Sequence, residues 1–122
     1  MSSETVLYST LAGDAPVSAL VGARIYPDVV PQDATGAAIA YLKVGTEPVT
    51  TIHSSIPLAT FTTLEVWCMA GARADAEAVA AAAVNALGAA LFQLLDRRAE
   101  FDQDSELWAS VLTVRHFVSG SI

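Results

Sequence analysis

Two periodicities divide the chain. Val6, Leu7 and Leu11 fall on adjoining turns of a helix over Glu4–Leu11, with Ser2 or Ser3 to cap it. Gly13-Asp14 breaks that helix, and Pro16 suits the first turn of a second one. The second helix carries Val17, Leu20 and Val21 and ends at Gly22. Alternation then takes over. In Ala38–Gly45, Ile39, Tyr41 and Lys43 oppose Ala40, Leu42 and Val44. In Leu58–Met69, Leu64, Val66 and Cys68 oppose Phe61, Thr63, Glu65 and Trp67. A long helix opens at Gly71 or Ala72, with Val84, Leu87 and Leu91 sharing a face with Ala76, Ala80 and Ala83; Gly88 marks its end. Leu91–Phe101 and Leu107–Val118 form a hairpin around Asp102-Gln103-Asp104-Ser105.

The predicted order is α-α-β-β-α-β-β. So few helices can cover only one face of a four-stranded, mainly antiparallel sheet, which makes the class α+β. The other face would carry Phe61, Trp67, Val111 and Phe117 among Thr, Glu and Arg. Apolar residues on both alternations call for a second cover, and a partner subunit is the simplest one. The connection Thr46–Pro57 is long for a hairpin and rich in Pro, Ser and Thr.

Composition narrows the picture. The 122 residues fit a single domain spanning 1–122. Six basic residues against thirteen acidic give a net charge of −7, with no basic stripe. That argues against direct nucleic-acid recognition and against adhesion to an anionic membrane. The lone Cys68 excludes an internal disulfide and suits a reducing compartment. The start, Met-Ser-Ser-Glu, has no positive region of the kind that opens a signal peptide. Ala78–Leu95 carries no charge, but its alanines, Asn85, Gly88 and Gln93 read as a soluble helix running into a strand.

No reaction centre emerges. No Gly-x-Ser-x-Gly elbow accompanies His53 or His116. His116 reads as a hydrogen-bonded strand residue, and His53 lies in the polar loop. Asp96, Glu100, Asp102, Asp104 and Glu106 lack the spacing of a calcium loop and read as a solvated turn, so no metal or cofactor is expected. The residues singled out for a subunit or partner interface are Arg24, Lys43, His53, Glu65, Trp67, Arg97, Arg98, Arg115 and Phe117. Charges of this kind set register and partner choice between subunits.

One stretch carries a resemblance. In Val21-Gly22-Ala23-Arg24-Ile25-Tyr26-Pro27, Gly22 permits a turn and Pro27 pushes Tyr26 towards extended geometry. Followed by Pro31-Gln32, Ile39-Ala40-Tyr41, Gly45-Thr46-Glu47-Pro48-Val49 and Leu64-Glu65-Val66-Trp67-Cys68, it resembles the phage tail-completion proteins of long-tailed phages and phage-like particles. Ala37 and Ala38 depart from the proline usual before that first strand. The resemblance implies a tail terminator: a virion protein at the tail-neck junction, assembled in the host cytoplasm. It would form a homo-oligomeric ring, a hexamer, that caps the tail tube, stops its polymerisation and joins it to a neck or head-completion protein. The alternatives are a head-closure or neck adaptor and a small dimeric ligand-binding module. An enzyme is not expected.

Overall fold

The computed structural model describes residues 3–28, 30, 36–49, 59–103 and 106–119. Helix α1 (Ser3–Ala12) buries Leu7 and Leu11, one turn apart on one face. Asp14 caps α2 (Ala15–Val21), its Oδ2 accepting from the Val17 amide at 3.2 Å, and Pro16 sits in the first turn. Gly22, at φ 59°, ends the helix.

The chain then makes a corner. Ile25–Pro27 is a strand, β1, running parallel to β2 (Ala38–Val49) with Ile25 opposite Ile39 and Pro27 opposite Tyr41. Among the described residues the sheet therefore has five strands and is mixed, where four mainly antiparallel strands were expected. Three residues are too few to show a period of two. Proline is also tolerated at a sheet edge because it need not donate there. Arg24 holds the corner: its Nε donates to the Ala37 carbonyl at 2.7 Å. Gly36, at φ 86°, sits so close that a Cβ there would lie 3.1 Å from the Arg24 Nη2.

β2 also runs further than expected, to Val49 rather than Gly45. Thr46–Val49 is strand and not loop, pairing with Ala59–Thr62 of β3 (Ala59–Ala70). A bulge between Lys43 and Gly45 resets the alternation at that point and hides the continuation. The remainder of the expected Thr46–Pro57 loop lies outside the described residues.

Helix α3 (Arg73–Ala89) crosses the sheet and leads into β4 (Phe92–Asp102) and β5 (Leu107–Ser119). Its buried face is Ala76, Val79, Ala80, Ala83, Ala86 and Leu87. Val84 is half-buried and packs against the core, whereas Leu91 lies beyond the helix with 83% of its surface exposed and does not belong to that face as expected. Gly88 falls inside the last turn rather than after it. The strand order is β1-β2-β3-β5-β4, with every pair antiparallel except β1 and β2.

All three helices supply the core on one side of the sheet. Leu7, Leu11, Val17, Val21, Val79, Ala83 and Leu87 meet Ile39, Leu64, Val66, Cys68, Leu112 and Val114. Each fully buried leucine or valine contributes about 1.5–3 kcal/mol of transfer free energy. The alanine face of α3 allows close approach to the sheet, so the large side chains of β3 and β5 fill the layer.

Candidate assembly surface

The sheet's other face carries the opposite alternation: Phe61, Thr63, Glu65, Trp67 and Met69 of β3 beside Phe117, Arg115, Thr113, Val111 and Ala109 of β5. Strand register fixes which of these meet. Trp67 is opposite Val111, and Val111 is opposite Arg98 on β4. Arg98 reaches across β5, placing its guanidinium carbon 5.8 Å from the centre of the Trp67 ring. Its nitrogens lie 3.1 Å from a Glu100 oxygen and 3.7 Å from a Glu65 oxygen. The Trp67 indole N–H donates to Glu65 at 3.0 Å. Val111, in the middle of this arrangement, is fully buried on a face that, among the described residues, no helix covers.

A second cluster lies further along the same strands. Arg115 sits 4.4 Å from the centre of the Phe61 ring, and Phe61 packs on Phe117 with ring centres 5.1 Å apart. The Arg115 Nη2 donates to Gln93 at 2.8 Å, while its buried Nε has no hydrogen-bond acceptor among the described residues. Half of Phe117 is exposed. Both clusters are arginines laid on aromatic faces, a contact stronger where water is excluded.

The structure brings Glu65, Trp67, Arg98, Arg115 and Phe117 onto this one face and sends the other singled-out residues elsewhere. Arg97 turns to the helix side and pairs with Glu77 of α3 at 3.1 Å. Arg24 is spent on its own chain at the corner. Lys43 is exposed on β2, beside the bulge. His53 lies outside the described residues. His116, also on the helix side, has Nδ1 2.8 Å from Ser3 Oγ and stacks on Phe92, with ring centres 4.4 Å apart. Burial holds its pKa below the ordinary 6.5. Burial also pushes the Cys68 thiol up to about 12, so it is a core hydrophobe and not a thiolate.

Sequence reasoning missed a run of exposed leucines at the start of β4. Leu91, Leu94 and Leu95 are all accessible, as are Val44 and Phe101. The one available signal was the adjacency of Leu94 and Leu95, which breaks the strand's alternation. An open cleft of about 610 Å³ is bounded by Leu20, Gly36, Met69, Asp75, Val79 and Leu107. Its lining is mainly apolar, with the single carboxylate of Asp75, and lacks the convergent polar groups of a small-ligand site. Among the described residues, no group of three or more His, Cys, Asp or Glu could hold a metal ion, and no helix is long and apolar enough to cross a membrane.

The chain belongs to a family of phage tail proteins: residues 5–119 match the model of the family described as tail completion protein gp17. That family is a structural one of phage tails and not an enzyme class. A solved structure titled "Virion of native gene transfer agent (GTA) particle" contains a chain similar to this one. The two are 22% identical over 93% of this chain and 92% of the other, with a TM-score of 0.74. At that identity the likeness is one of fold. No curated protein matches the chain.

Proposed function

We propose that this tail protein acts as a tail terminator. As one domain spanning residues 1–122, it closes into a homo-oligomeric ring, a hexamer by the family resemblance. The ring seats on the last turn of the tail tube, stops tube growth and presents its far surface to a neck or head-completion protein. The tail-neck junction of the virion is then its place, reached after assembly in the host cytoplasm. The observation that carries this reading is the helix-free sheet face, with its two arginine–aromatic clusters, in a chain of the tail completion family. A closed ring requires two different patches on each subunit, related by a rotation that returns to its start. The sheet has two unlike edges, β1 with β2 on one side and β4 on the other. The acidic net charge of −7 suits contacts with protein rather than with the genome.

Imaging the protein mixed with tail tubes tests this directly. Rings of uniform size at one tube end, and tubes that stop elongating, are the expected result. Binding to filled heads and not to tubes would instead identify a head-closure adaptor. A stable dimer holding a small ligand would overturn both.

A further inference from the structure

The two open edges of the sheet carry a matched pair of irregularities. In β4, Leu94 pairs with Val114 and Asp96 with Thr113, so Leu95 is an extra, unpaired residue. In β2, Lys43 pairs with Leu64 and Gly45 with Thr63, so Val44 is likewise extra. The two bulges flank one level: Leu64 pairs with Val114 across the middle of the sheet, with Val44 on one side of that pair and Leu95 on the other. Bulges at a sheet edge re-aim side chains. These two leave apolar ones accessible on opposite edges, Leu95 at 47% and Val44 at 56%.

The rest of β4 is different. Asp96, Arg97, Arg98, Glu100 and Asp102 put charges of both signs along its remainder, the usual protection of an edge against stray pairing. A bulge that served only as protection would gain from a polar residue, yet here it holds leucine. On the other side, β1 covers β2 only from Ile39 to Tyr41. Among the described residues, β2 from Leu42 to Val49 has no strand on its outer side.

We propose that Leu95 of one copy packs against Val44 of the next, with the outer edge of β4 laid antiparallel to that of β2. The inference rests on the ring reading above and names its lateral contact. A cyclic ring has no rise from one copy to the next, so residues at the same height on the two edges meet. Leu95 and Val44 lie within one residue of the same height, about 3.3 Å along the strand direction. The strand sense also agrees: β4 runs opposite to β2 within one copy, and rotation about an axis along the strands preserves that.

The test uses cysteines in a Cys68→Ala background, oxidised on tail tubes assembled from the particle's own tube protein. A mixture of Leu95→Cys and Val44→Cys subunits should give covalent dimers, each variant alone none, and the double variant a ladder ending at the ring number. Rings on the tubes with no cross-link in the mixture or the double variant would overturn the contact and leave the ring standing. Dimers from Leu95→Cys alone would overturn it in favour of a two-fold contact. Absence of rings with the unaltered protein would overturn the ring reading itself. As a second arm, Leu95→Asp, folded by circular dichroism, should lower ring occupancy of tubes by about tenfold. Unchanged occupancy counts against the contact.

Discussion

Arg98 and Trp67 are two strands apart, yet the guanidinium of one lies 5.8 Å from the ring centre of the other, with Val111 between them on β5. Together they roof a fully buried valine on a helix-free face. The roof is both electrostatic and steric, since Arg98 is also held by Glu100 and Glu65. Arg98 remains partly exposed, so each of these contacts is screened.

Arg98→Ala should therefore cost only about 1 kcal/mol in urea unfolding, the scale of an exposed cation–π contact. In a Trp108→Phe background, the fluorescence of Trp67 should shift to the red as water reaches its face. Arg98→Lys should keep the charge and lose part of the stacking, falling between the two. A loss above about 3 kcal/mol would mean that Arg98 belongs to the folding core.

Leu91 is a costly residue where it stands. It follows the end of α3 with φ 68°, in the region that favours glycine, and its side chain is mostly in solvent. Leu91→Gly should raise stability by about 0.5–1 kcal/mol, strain relief outweighing the added freedom of the unfolded chain. Chemical denaturation reads this directly. A lowered midpoint would show that Leu91 packs within the subunit.

His116 ties the start of α1 to β5 through Ser3. Burial lowers its pKa in the folded state, so the folded protein binds its proton less readily than the unfolded chain does. The associated stability is complete above about pH 6.5 and is lost as pH falls through the folded-state value. Between pH 7 and pH 5 the melting temperature should fall more steeply for the natural protein than for His116→Gln. Equal slopes would remove His116 as the cause.

Cys68 offers a check on the core. With the thiol pushed up to about 12 and no accessible surface, it should resist a thiol-specific reagent at pH 8. In denaturant it should react at once. Reaction in the native state would show that β3 opens locally at rates faster than global unfolding.

Much of the fold was legible because burial follows period. Leu64, Val66 and Cys68 alternate on a strand that is regular throughout, and all three are fully buried. Asp14, Pro16 and Gly22 bound α2 through their own chemistry. The errors fall where regularity stops. A bulge at Val44 concealed the last stretch of β2, Thr46–Val49, and β1 is shorter than any detectable repeat. Leu91 was assigned to the face of α3 because the period continues past the point where the helix has ended. That Glu65, Trp67, Arg115 and Phe117 share one sheet face was legible from alternation. Which strands form the edges was illegible, because strand order sets which residues are outermost, and β5 enters the sheet out of sequence. Arg24 shows the same limit: a cation beside a turn gives no sign that its partner is the carbonyl of Ala37.

That out-of-sequence insertion governs when the subunit can exist at all. β5 is made after β4 but lies between β3 and β4, pairing with both along most of its length. While the ribosome is still adding Leu107–Ser119, β3 keeps one flank open and β4 has no strand to join. Helix α3 can form early from local contacts, whereas the sheet closes only in a late, long-range step. The outer edge of β4 is thus fixed last, and until β5 is in place the uncovered flank of β3 is open to stray pairing.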